Sequence, residues 1–186
     1  MAGMRAVDPR VSYAELARWP DDGRRYELYD GEAIVVPAPN WTHQRIVLNV
    51  ARILKAYERD AGGGVVIAPF DIVLSQHDVL QPDVVYFGAE KRARQHPLEA
   101  AYVVPDLAVE VLSRSTERRD RGRKMDLLAR YGLPEYWLID PVERSLEIYA
   151  KQGDTLALAG AFESAQRIAS PSLPDLVVDF ERLFED

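Results

Sequence analysis

A chain of 186 residues with 47% hydrophobic and 28% charged side chains has the make-up of a soluble globular protein and the length of one well-buried core, so a single domain over residues 1–186 is expected. A formal net charge of −7 works against long-range attraction to a polyanion unless cations cluster locally, and zero cysteines exclude disulfides and thiolate metal sites. No apolar run approaches the roughly 20 residues of a membrane helix, and residues 1–8 carry no apolar signal core, which predicts a cytoplasmic location with no membrane partner. In chain order, Ser12 and Glu15 open a short capped helix that carries Tyr13, Leu16 and Trp19 and stops at Pro20. Two strand-like runs, 25–29 and 32–36, flank Asp30-Gly31, a strong hairpin signal. Pro37, Pro39 and Asn40 then break the chain before a long helix, whose apolar residues Ile46, Val47, Val50, Ile53, Leu54 and Tyr57 recur at helical spacing up to the glycines at 62–64.

Residues 65–75 and 83–87 predict two strands joined through a polar turn at Gln76, His77 and Asp78, and 91–97 predicts a basic loop. Residues 107–112 predict a strand buried on both faces: Leu107, Val109 and Val111 are apolar on one side, Ala108 and Leu112 on the other. A helix follows from Ser115-Thr116-Glu117 through Met125, Leu127, Leu128 and Tyr131 to Gly132, with Pro134 just beyond. Residues 135–140 and 145–150 read as a hairpin around Pro141, followed by weaker strands near Leu156 and Ile168 and an apolar segment at 176–184. Helices between strands and hairpins give an α/β class with a mixed sheet.

The oddity in this pattern is Glu110, an ionisable group inside the apolar strand, where a carboxylate is costly unless a metal or a cation partners it. Its bland reading is a carboxylate held by an arginine. Asp83 follows Pro82 at a strand start, where aspartate is a common turn residue. Glu27 is either a solvated hairpin residue or a third acid. Lys124 either pairs with Asp120 at i,i+4 on an exposed helix face or turns inward toward Glu110. His43 and Gln44 open the long helix; His43 reads as structural, Gln44 is open. Arg114, Arg118, Arg119, Arg121 and Arg123 with Lys124 form either a solvated helix face or the cationic mouth of a site, which Lys91, Arg92, Arg94 and His96 would extend.

Taken in order, Tyr26 to Glu32 (YELYDGE), His43-Gln44, Gln81-Pro82-Asp83, Pro105-Asp106-Leu107, Glu110 to Ser113 (EVLS), Ser115-Thr116, Asp120, Lys124, Gly132, Glu135-Tyr136-Trp137 and Asp140-Pro141 resemble the Uma-type restriction endonucleases, a branch of the PD-(D/E)XK nuclease superfamily. Each motif alone is weak, and the ordered set is specific. The resemblance implies a restriction-endonuclease-like core, a central mixed β-sheet flanked by helices, with an N-terminal helix and hairpin. It further implies hydrolysis of DNA phosphodiester bonds with Mg²⁺ or Mn²⁺ held by Asp83, Glu110 and the main-chain carbonyl of Val111. The superfamily's lysine two residues after the strand acid is here Leu112, and the candidate to replace it is Lys124 from the following helix. Glu27 joins Asp83, Glu110 and Lys124 in the catalytic set, with Gln44, Arg118, Arg119 and Arg121 as nucleic-acid contacts. Two strand cuts need two sites, so a homodimer is expected. The rival expectation is a catalytically inactive module of the same fold that binds nucleic acid or a protein partner.

Overall fold

The structure, a computed structural model, describes residues 10–164 and 167–185; the leader reading of residues 1–8 lies outside the described residues. A six-stranded mixed sheet forms the centre. Its strands, in chain order, are β3 (Gly64–Ile67), β6 (Val84–Phe87), β7 (Leu107–Val111), β8 (Glu135–Asp140), β9 (Ser145–Gln152) and β10 (Thr155–Phe162), and they lie in the spatial order β10-β9-β8-β7-β6-β3. Of these pairings one is parallel, β7 with β8, which a helical crossover joins, and the other four are antiparallel.

One face of the sheet is covered by α2 (Trp41–Ala61), whose Ile46, Val47, Val50 and Leu54 pack against Val84, Val109, Val111 and Trp137. Each such buried side chain contributes roughly 1.5–3 kcal/mol, so this stripe anchors the helix firmly. The side chain of Asn40 caps α2 by accepting from the His43 amide at 2.9 Å, which sets His43 in the first turn. The C-terminal strands β11 (Arg167–Ala169) and β12 (Val177–Asp179) and the short α6 (Phe180–Leu183) complete the same face.

The other face carries a second sheet and the crossover. α1 (Tyr13–Leu16) begins with the expected capping box between Ser12 and Glu15. Strands β1 (Arg25–Tyr29) and β2 (Glu32–Val36) form the expected hairpin; Asp30 and Gly31 have φ of 50° and 78°, the two positive values that a tight two-residue turn demands. A side chain at position 31 would also strike Arg10, its Cβ 2.3 Å from Arg10 Cβ. β1 pairs in turn with β5 (Val79–Leu80), and β5 with β4 (Ile72–Val73).

Two expectations need correction. The single strand expected over 65–75 is two short strands in different sheets, β3 and β4, separated where Pro69 lacks an N–H to continue a ladder. The basic loop at 91–97 begins inside a short helix, α3 (Ala89–Ala93). No described helix is long and apolar enough to cross a membrane.

The crossover from β7 to β8 is a continuous helical segment in three parts: α4 (Glu117–Arg119), a π-helical turn over Asp120–Lys124, and α5 (Met125–Arg130). Leu127 and Leu128 fix it to the sheet beside Ala108, Tyr136 and Leu138. π turns are rare and often mark functional sites. This one directs both Asp120 and Lys124 into the interior, where they are 1% and 2% exposed. The exposed i,i+4 pair is therefore excluded.

Candidate active site

Glu110 projects from β7 on the face shared with Ala108 and Leu112, toward the hairpin and the crossover rather than toward α2. Lys124 Nζ meets it there, 2.5 Å from Glu110 Oε1 and 2.8 Å from Glu27 Oε1 on β1. The contact with Glu110 is an ion pair outside hydrogen-bond geometry, so Glu110 Oε1 has no directed partner among the described residues. Glu27 is better held. It accepts from the Gln81 amide at 2.8 Å and from the Tyr29 hydroxyl at 2.8 Å, and Arg119 Nε approaches at 3.8 Å. Glu27 is fully buried, so the solvated alternative for it is excluded.

Asp83, in the link between β5 and β6, accepts from the Val111 amide at 2.8 Å, and its same oxygen lies 3.1 Å from His43 Nε2. Thus α2 delivers a histidine to the acid that precedes β6. Asp83, Glu110, Val111, Lys124, Arg119, Asp120 and His43 all line one cleft of about 180 Å³, whose outer wall is the 36–40 loop. His43, read as structural in the sequence, and Asp120, weighed there only as one alternative partner of Lys124 and as a motif residue, are the cleft residues to which sequence reasoning gave no role. The signal for His43 was its place in the first turn of a capped helix; for Asp120 it was an acid four residues before the inward lysine.

Charge explains the character of the cleft. Burial alone would push the Lys124 ammonium down, but Glu110 and Glu27 overcome this and hold it well above its ordinary value, so it is a fixed cation near neutral pH. Burial pushes Glu110 up; Lys124 opposes this, while Asp83, Asp120 and Glu27 add to it. Burial also raises Asp120, against Lys124, the Thr116 hydroxyl and Arg119. Glu27 moves the other way, lowered by Lys124 and the Gln81 amide against its burial. A purely structural buried acid looks different: Glu135 receives Trp137 Nε1 at 2.6 Å, Ser170 Oγ at 2.7 Å and the Ser172 amide at 2.8 Å.

The remaining expected contacts scatter. Arg119 lines the cleft. Arg118 and Gln44 are exposed and do not line it. Arg121 turns away, 3.0 Å from Glu117 and 2.7 Å from Glu147 on β9. Lys91 pairs with Asp106, while Arg92 and His96 line a separate cavity near Gly63 and Phe87. The continuous basic mouth expected from sequence is therefore reduced to Arg119 and Lys124, joined by Arg25 from β1.

Among the described residues no group of three or more His, Cys, Asp or Glu side chains is arranged to hold a metal. The donors still suit a hard cation such as Mg²⁺, which takes one or two carboxylates and keeps several waters. Asp83 and Glu110 supply that number in one cleft, and Glu110 Oε1, buried without a hydrogen-bond partner among the described residues, is an acceptor that a cation would satisfy.

The Uma2 family, described as "Putative restriction endonuclease", matches residues 13–181. The chain belongs to the Uma2 family. A crystal structure described as a "putative nuclease belonging to DUF820" from Anabaena variabilis shares the Uma2 chain's fold, with a TM-score of 0.77 over 94% of this chain and 97% of that one at 20% identity. Two proteins of Synechocystis are similar in sequence: "Uncharacterized protein slr1290", 26% identical over 170 residues, and "Uncharacterized protein sll1609", 27% identical over 130 residues. The first alignment covers 89% of this chain and 87% of the relative, the second 69% and 73%. The Uma2 fold here is thus the restriction-endonuclease-like mixed sheet with flanking helices.

Proposed function

We propose that this Uma2 protein is a metal-dependent endonuclease that hydrolyses DNA phosphodiester bonds. The observation that carries the reading is the placement of Lys124 Nζ against Glu110 in the cleft that Asp83 lines, where it would serve as the superfamily's lysine from a helix, its usual strand position being Leu112. Membership of a family described as "Putative restriction endonuclease" and a fold shared with a protein described as a "putative nuclease" support it. Asp83, Glu110 and the Val111 carbonyl are the groups that would hold Mg²⁺ or Mn²⁺. When bound, such a cation acidifies a water and polarises a phosphoryl oxygen.

The protein's own groups would do the rest. Lys124, held as a cation, donates to the attacking water or to the charge developing on the phosphoryl oxygens. Glu27 keeps it aimed from behind, with one oxygen on the ammonium and the Gln81 amide and the other on the Tyr29 hydroxyl. Arg119 and Arg25 at the cleft wall attract the phosphate backbone. The reading includes one domain over 1–186, a cytoplasmic location, and a homodimer that presents two clefts to two strands.

Incubation of supercoiled plasmid with Mg²⁺ or Mn²⁺ tests it: nicked or linear product is expected from the native chain and none from Glu110→Ala or Asp83→Ala. Cleavage that survives both changes defeats the reading. The burial of Leu112 in the core favours, as the second reading, an inactive binding module. A thermal-shift titration with Mn²⁺ separates the two, since the module has no reason to respond.

A further inference from the structure

A second cavity, of about 250 Å³, opens beside the cleft and shares Arg25 and Gln81 with it. Tyr13, Trp19 and Tyr26 line it. Trp19 is 41% exposed and stands edge-on to Tyr26, with ring centroids 5.2 Å apart at 83°. Neither ring belongs to an apolar core cluster of the fold, so core packing does not account for them.

A polar array adjoins the rings. Asp71 accepts from the Tyr13 hydroxyl at 3.1 Å and from Gln81 Nε2 at 2.7 Å. Donation to a carboxylate fixes which end of the Gln81 amide is nitrogen. Its oxygen is buried and has no hydrogen-bond partner among the described residues, a condition that a ligand donor would relieve. The backbone amide of the same Gln81 is bonded to Glu27, the partner of Lys124, so the wall of this cavity is tied to the catalytic pair.

We infer that the cavity is a subsite for one unpaired nucleobase of the strand whose phosphate lies in the catalytic cleft. This rests on the nuclease reading above and extends it to the form of the substrate. A flat base stacks on the exposed indole in a way that tolerates sequence. The acceptors Gln81 Oε1 and Asp71 suit a base edge that carries an exocyclic amino group, as cytosine does, better than the carbonyl-flanked edge of thymine. Arg25 lines both the cavity and the cleft, where Lys124 and Arg119 also stand, so a phosphate held in the cleft leaves its neighbouring base within reach of the cavity. A base reaches the cavity only out of the helical stack, so unpaired or readily unstacked positions are preferred.

The test is fluorescence anisotropy with short labelled single strands of equal length, without divalent cation so that none is cut: oligo-dC, oligo-dT and an abasic phosphodiester strand. The native chain is expected to bind oligo-dC about tenfold more tightly than the abasic strand, in line with one base stacked on an aromatic ring, with oligo-dT between them. Trp19→Ala should erase that ratio and leave abasic affinity unchanged, whereas Trp19→Phe should keep most of it. Equal binding of base-bearing and abasic strands by the native chain, or an equal loss on all strands in Trp19→Ala, overturns the subsite alone. Absence of binding to every strand and to duplex plasmid overturns it together with the nuclease reading.

Discussion

Lys124 Nζ lies 2.5 Å from Glu110 Oε1, although the acid belongs to the central strand and the lysine to a π turn in the crossover that follows it. The ammonium bridges two carboxylates from different sheets, since Glu27 sits 2.8 Å away on the hairpin. One buried cation thus joins the central sheet, the hairpin sheet and the crossover helix at the floor of the cleft.

Replacing Lys124 by Met should lower plasmid cleavage by about 10²–10³-fold, the usual cost of removing one group that stabilises developing charge. Lys124→Arg should restore little of it, because a planar guanidinium cannot take the place of a compact ammonium between two carboxylates. Initial rates of plasmid nicking measure both. Rates within a few-fold of the native chain would remove Lys124 from the chemistry.

Glu27→Ala should destabilise the fold by about 3–5 kcal/mol, because it leaves a buried ammonium with one partner fewer and strands the Tyr29 hydroxyl and the Gln81 amide. Burial pushes Glu27 up, yet Lys124 and the Gln81 amide prevail and hold it below the ordinary carboxylate range. Its contribution is therefore present above that range and lost as pH falls through its folded value. Urea unfolding of the two proteins should show a gap that is wide at pH 7 and narrows on acidification.

Asp120→Asn should act with the opposite sign. Burial raises Asp120 in the folded state, so its ionisation favours unfolding: stability from this site is full below the unfolded carboxylate value and is lost as pH rises through the folded one. The asparagine variant should melt higher than the native chain at pH 7, with the advantage disappearing toward pH 4. A variant that melts lower at neutral pH would show that Asp120 is needed as an anion beside Lys124 and Arg119.

Arg119→Ala should weaken binding to duplex DNA and reduce the slope of log affinity against log salt by about one unit, as loss of one phosphate contact does. Arg121→Ala should leave that slope unchanged, because its guanidinium is committed to Glu117 and Glu147. Its effect on stability should stay within about 1 kcal/mol, typical of a partly exposed ion pair. Equal salt slopes for the two variants would mean that the helix face, not the cleft, meets the backbone.

The amino-acid pattern carried the elements whose causes are local. The capping box at Ser12, the Asp30-Gly31 turn, the apolar stripe of α2 and the two-faced apolar strand β7 each depend on residues a few positions apart, and each formed where its spacing places it. Glu110 was legible for the same reason, since a carboxylate in an apolar strand stands out without knowledge of its neighbours. Where the chain changes sheets, the apolar run over 65–75 outweighed its one local breaker: Pro69 divides the run between two ladders. The convergence of Glu27, Asp83, Glu110, Lys124 and His43 was beyond local pattern altogether. Sheet order, the packing of Leu127 and Leu128 and the π turn bring those groups to one cleft, and such distances are set by long-range contacts that leave no period in the sequence. Lys124 faces Glu110 because apolar packing holds the crossover against β7 and the two acids repay the burial of its charge.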